Sequence, residues 1–288
     1  IKGQGELDML WKGRRQSSNI EDRRGQYAKR GGAIGGGSII IALIAVFIFG
    51  QDPLLVLQEL QQQAGIVETS NSNYEPNSEE QQITEFISVV LADTEDTWNQ
   101  FFQKAGYDYQ APKLVLYSGM TPTACGTGQA ASGPFYCPGD QKIYLDLSFL
   151  SELQRMGASG DLAVAYVLAH EVGHHIQTLT GVSTKVRNLQ NQTNQVGANA
   201  IQVKMELQAD CLAGVWVNHT QKRTQFLEQG DIEEALQAAS AVGDDQLMRK
   251  AGLPPRREAF THGSSKERMS WFKQGLKTGD LAACETGI

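Results

Sequence analysis

The chain has 288 residues, 41% of them apolar and 20% charged, enough for one large domain or two small ones whose core needs no staple to exist. Its formal charge of -7 is unevenly spread: up to Gly32 there are eight Lys or Arg and four Asp or Glu, which leaves 17 basic and 28 acidic residues beyond, so the two parts carry +4 and -11. An acidic main body argues against a nucleic-acid surface, which needs clustered positive charge.

In chain order, residues 1–33 form a polar, basic segment. Met9 offers an alternative start, so 1–8 are read as an upstream extension. Gly31, Gly32, Gly35, Gly36 and Gly37 read as a flexible joint. Ile34 to Gly50 then runs 17 residues without a charge, which as a helix about 25 Å long predicts one transmembrane span at the short end of the usual range. A cleaved signal peptide would need a small-residue site after the run and a lipoprotein a cysteine, and neither is there. With the basic flank held in the cytoplasm, the rest of the chain is expected outside it, as a single-pass protein of the inner membrane facing the periplasm. Residues 51–82 are predicted as a short amphipathic helix near the membrane followed by a polar linker. The folded domain is expected over 83–288.

That domain opens with helical spacing over Ile83 to Lys104, carried by Phe86, Ile87, Val90, Leu91, Trp98, Phe101 and Phe102. Strand signals follow at Lys113 to Tyr117 and Lys142 to Leu147. Between them Cys125 and Cys137 flank a Gly-rich loop and are the leading disulfide pair, with two free thiols as the alternative. No cysteines show C-x-x-C spacing, which argues against a cysteine zinc ribbon or a thioredoxin-type site. The even total of four suits disulfides in an exported domain.

Val167 to Gln177 reads VLAHEVGHHIQ, on a helix expected to start at Asp161 and stop at Gly181. His170 and His174 are four positions apart, about 400° around a helix, so both imidazoles emerge on one face and can share a metal ion. Zinc suits them, since a catalytic zinc takes three protein ligands and keeps one position for water. Glu171 follows the first histidine and can serve as general base, completing H-E-x-x-H. His175, about 140° from His170, reads as a packing or supporting group. Residues 183–199 are Gln- and Asn-rich, either a solvated helix or a mobile crossing over the cleft.

Helical periodicity resumes from Ala200 to His219 and contains ELQAD. Two histidines need a third ligand from elsewhere in the chain. Glu206 is the candidate, and Asp210, one turn on, can accept the other ring N–H of a ligand histidine. Cys211 points away from Glu206 and reads as core or as half of a disulfide, with Cys284 available. Asp231 to Asp244 reads as a plain helix with an acidic first turn.

A Glu-x-x-x-Asp helix after an H-E-x-x-H helix resembles the gluzincin metallopeptidases. Strands ahead of the metal helix resemble the zincin arrangement, which implies an edge strand lining the cleft and pairing with extended substrate. FTHGSSKER resembles the THPS...R element of membrane-bound heat-shock and prenyl-protein proteases. That implies His262 stabilising the oxyanion and Arg268 orienting carboxylates at the site. A capping-loop histidine and a surface salt bridge are the alternatives. Taken with WKGRRQSSNIEDRR, the paired CGTG and PFYC segments, HEVGHH and MELQADC, the chain from Met9 onward resembles the YpfJ-type family of neutral zinc metallopeptidases. The resemblance implies an α+β, zincin-like domain, mostly helical with a small sheet, behind one transmembrane helix. It further implies a zinc cofactor and peptide or protein substrates. The expected function is zinc-dependent endopeptidase; the alternative is a non-catalytic envelope protein with a structural zinc or a peptide-binding cleft.

Overall fold

The computed structural model describes residues 10–29, 66–68, 74–129 and 132–288. Its centre is a four-stranded sheet in the order β1-β4-β8-β7. β1 (Ile20–Asp22), β4 (Lys113–Tyr117) and β8 (Lys142–Asp146) run parallel, and β7 (Phe135–Cys137) closes one edge antiparallel to β8. Both faces of β4 and β8 are covered, so their apolar residues run on without polar alternation. Leu114, Leu116, Ile143 and Leu145 face the main helical core. Val115, Tyr117 and Tyr144 pack on the other side with Cys137.

Two short antiparallel pairs flank the sheet: β2 (Tyr27–Lys29) with β3 (Ile66–Glu68), and β5 (Met120–Thr123) with β6 (Gly126–Gln129). A disulfide joins Cys125, in the β5–β6 turn, to Cys137 at the end of β7.

The helices are α1 (Ser78–Lys104), α2 (Ser148–Arg155), α3 (Asp161–Leu179), α4 (Val182–Gln190), α5 (Gln195–Thr224), α6 (Asp231–Ala241), α7 (Asp244–Lys250) and α8 (Ser265–Thr278). α1 starts five residues before Ile83 because a capping box sets its origin. The Asn77 side chain accepts from the Glu80 N–H, and the Glu80 carboxylate accepts from the Asn77 N–H. The Gln-rich stretch after Gly181 resolves into α4 and the first turns of α5. There Asn194 caps the helix by accepting from the Gly197 N–H, six residues before Ala200.

The N-terminal segment does not stand apart as a basic flank. Trp11 is buried against Phe86 in the main core, and β1 is a strand of the central sheet. Two of its described basic residues have acidic partners on α1: Arg14 bonds Asp93 at 2.5 Å, and Arg15 bonds Asp96 at 2.7 Å and Glu95 at 3.0 Å. Composition alone cannot distinguish such paired charges from a flank that faces lipid headgroups.

The expected single-pass topology is corrected on these grounds. Residues 34–50 lie outside the described residues, and among the described residues no helix is long and apolar enough to cross a membrane. A single crossing would also separate residues that the structure pairs. Lys29, before that stretch, lies in register with Ile66 after it, and Ile20–Asp22 pair with Leu114–Leu116. The transmembrane helix is therefore removed from the fold class, leaving a helical domain with small sheets. The placement in the inner membrane, with a cytoplasmic N-terminus and a periplasmic catalytic domain, is withdrawn with it.

Two glycines set the distances between the helices that matter most. Gly173 on α3 meets α5 at Ala209, where an added Cβ would sit 3.1 Å from the Ala209 Cα and carbonyl oxygen. Gly275 on α8 lies against α5 so closely that a Cβ would fall 1.9 Å from the Cys211 carbonyl oxygen. No rotamer relieves a clash with backbone. Gly275→Ala should therefore destabilise the domain by about 1–3 kcal/mol despite the better helix propensity of alanine. Thermal unfolding measures this, and a variant as stable as the parent would show that the helices can separate freely.

Candidate metal centre

α3 and α5 cross at the Gly173–Ala209 contact, which faces one turn of each helix toward the other. From α3 come His170, Glu171 and His174; from α5 come Glu206 and Asp210. One ligating atom from each of His170, His174 and Glu206 can be chosen so that all lie within 4.8 Å of one another. The Glu206 Oε2 is 3.2 Å from His170 Nε2 and 3.4 Å from His174 Nε2. Donors held at about 2.0–2.1 Å in a tetrahedral zinc shell are about 3.3 Å apart, so the observed separations fit that ion. The two rings are nearly perpendicular, at 88° with centroids 4.7 Å apart, so they reach the shared point from different directions. The remaining Glu206 oxygen, Oε1, accepts from Gln202 Nε2 at 2.8 Å.

Both histidines turn Nδ1 away from this point. His170 Nδ1 lies 2.8 Å from Asp210 Oδ1, and His174 Nδ1 lies 2.8 Å from Gln177 Oε1. Each Nδ1 can then hold the proton while each Nε2 keeps its lone pair toward Glu206.

Asp210 is fully buried, and its charge is matched. Arg268 from α8 grips it with a two-pronged guanidinium, Nε to Oδ2 and an Nη to Oδ1, both at 2.9 Å. The Tyr166 hydroxyl donates to Asp210 Oδ1 at 2.5 Å. Burial alone would raise the Asp210 pKa, but Arg268 and His170 outweigh it and hold it at about 2. Burial likewise lowers the His170 pKa, yet Asp210 and Glu206 bring it up to about 9, so Nε2 gains its free lone pair only when a bound metal ion displaces its proton. Glu206 is held well below the usual carboxylate range by the two histidines, against its own burial. Glu171 behaves oppositely: burial raises it above that range, with His170 and His174 only partly compensating. Its neighbours explain this, since it borders an apolar pocket lined by Ile143, Leu145, Phe149, Leu150, Val164 and Leu168.

The other expected residues fall as follows. His262 sits on the loop before α8 with its side chain half exposed and Nδ1 3.2 Å from Asp244 Oδ1. Asp244 Oδ2 also accepts from the backbone N–H groups of Thr261, His262 and Gly263. Partial burial works against charge on His262, but Asp244 and Glu206 raise its pKa. Arg268 is not a surface salt bridge; it is the buried partner of Asp210. His175 points away from the triad, between the Tyr136 hydroxyl at 3.1 Å and the Gln110 carbonyl at 2.6 Å. Cys211 and Cys284 are joined by a disulfide. Gln177, Tyr166 and Asp244 carry no motif, and their places are set by contacts distant in the chain.

The family model described as "Putative neutral zinc metallopeptidase" matches residues 9–287, nearly the whole chain. The chain belongs to that family. Two relatives show how far the likeness extends. YpfJ of Escherichia coli strain K12 is 46% identical over 287 residues, covering 96% of this chain and 98% of the relative. Mb2605 of Mycobacterium bovis is 41% identical over 189 residues, covering 62% of this chain and 63% of its own length. No solved structure matches the chain. As a member of a zinc metallopeptidase family, the chain has zinc as its cofactor, and the His170, His174 and Glu206 cluster supplies a donor set suited to that ion.

Proposed function

We propose that this protein is a zinc-dependent endopeptidase, with His170, His174 and Glu206 as the metal ligands and Glu171 as the general base. The observation that carries the reading is the convergence of two Nε2 atoms and one carboxylate oxygen, next in the chain to a buried carboxylate, Glu171, that lines an apolar pocket. When bound, zinc would supply Lewis acidity, making a water molecule acidic and polarising the substrate carbonyl.

The residues of the chain supply the rest. Glu171 takes the proton of the attacking water and returns it to the amine that leaves when the peptide bond breaks. Its apolar surroundings favour taking the proton, because burial makes the carboxylate a stronger base than one in water. Asp210 fixes the tautomer of His170 and increases its basicity, with Arg268 and Tyr166 holding Asp210 in place. His262, whose pKa is raised by Asp244 and Glu206, is suited to stabilise negative charge on the carbonyl oxygen. β7, an edge strand of the central sheet, offers backbone groups to an extended peptide.

Peptide-library cleavage by the purified full chain, followed by mass spectrometry, tests this directly. Cleavage should disappear with a chelator and return with added zinc. A zinc-loaded protein that leaves the whole library intact would favour the non-catalytic alternative.

A further inference from the structure

We propose that Gln177 and Gln208 are positioning residues for His174, forming a buried amide relay that ends on the Cys284 carbonyl. The inference rests on the metal-centre reading above and concerns what orients its second histidine. Four contacts make up the relay. His174 Nδ1 meets Gln177 Oε1 at 2.8 Å; Gln177 Nε2 donates to the Met205 carbonyl at 2.8 Å and to Gln208 Oε1 at 3.0 Å; Gln208 Nε2 donates to the Cys284 carbonyl at 3.3 Å. Gln177 is 1% exposed and Gln208 9%, so water competes little for these groups.

The direction of the relay follows from its far end. A backbone carbonyl can only accept, so the Gln208 group facing Cys284 must be its NH2, which leaves Gln208 Oε1 as an acceptor. Gln177 faces that oxygen and the Met205 carbonyl, two acceptors, with its own NH2. Its Oε1 is then left to face His174. An amide oxygen can only accept, so His174 Nδ1 must carry the hydrogen. Nε2 is the nitrogen left with a lone pair, and it is the one turned toward Glu206. The relay selects the tautomer that a metal ligand needs.

The two histidines are thus held by different chemistry. Asp210 holds His170 with a carboxylate whose charge Arg268 balances. A neutral amide orients His174 without adding a further buried charge that would need its own cation. The outer end of the relay is anchored covalently, because Cys284 is tied to Cys211, one residue beyond Asp210. Each ligand histidine therefore has its support fixed to the same turn of α5.

The test uses the full chain and its Gln177→Leu and Gln208→Leu variants. Three quantities are measured: zinc affinity by competition with a chromogenic chelator, the absorption spectrum of the cobalt(II)-substituted protein, and thermal unfolding of the metal-free form. Gln177→Leu should weaken zinc binding by about 10- to 100-fold and shift the cobalt bands, with Gln208→Leu moving both in the same direction by less. Unchanged zinc affinity and an unchanged cobalt spectrum in both variants, whatever happens to the unfolding temperature, would reduce the relay to ordinary packing. If Gln177→Leu does not fold, Gln208→Leu decides by the same criterion. A parent protein that binds no zinc would instead overturn the metal-centre reading on which this rests.

Discussion

Glu171→Gln is expected to slow peptide hydrolysis by a factor on the order of 10² to 10⁴ while leaving zinc bound. The substitution changes little in shape and nothing in the ligand set, since Glu171 is not a member of the His170, His174 and Glu206 cluster. It removes a group that can take a proton. The Glu171 side chain lies in a mostly apolar setting, so a nearby water gains no substitute acceptor from the pocket. Zinc titration of the same sample separates the two ways of losing activity. A variant that cleaves as fast as the parent would sink the general-base role. One that loses its metal would mean that Glu171 shapes the site instead of acting in it.

Arg268→Met should have the largest effect on folding. It leaves the Asp210 carboxylate buried without its counter-charge, a change that costs about 3–5 kcal/mol when one member of a buried pair is removed. For a domain of this size that lowers the melting temperature by roughly 10 °C. The pH dependence has a definite sign. The Asp210 pKa is about 2 in the folded protein, below its value in an unfolded chain. Its contribution is thus complete above about pH 4 and is lost as the pH falls toward 2. Combining Arg268→Met with Asp210→Asn should recover part of the loss, because the double variant buries no unmatched carboxylate. Equal melting temperatures for parent and Arg268→Met would contradict the account of a charge-matched core beneath His170.

Much of the site was legible because its signals are local. A spacing of four on a helix places His170 and His174 together whatever surrounds them, and ELQAD repeats that logic for Glu206 and Asp210. β4 emerges over the expected residues, since KLVLY is apolar on both faces. What was not legible depends on partners far away in the chain. Arg14 and Arg15 look like a membrane flank until Asp93, Glu95 and Asp96 are seen beside them, about 80 positions later. Gln177 and Gln208 look like helix filler, because nothing in a glutamine's sequence neighbourhood shows which carbonyl it will meet. Arg268 was placed near the site only through a likeness to other proteases, and its burial comes from the close packing of α8 on α5 at Gly275.

Two imidazoles and a carboxylate from a later helix are expected to hold one zinc ion. Zinc titration of the metal-free full chain, alongside His170→Ala, His174→Ala and Glu206→Ala, tests it most directly. About one zinc should bind per parent chain, with a severe loss of affinity in each variant, since a catalytic zinc has only three protein ligands. Glu206→Ala binding zinc as tightly as the parent would contradict it.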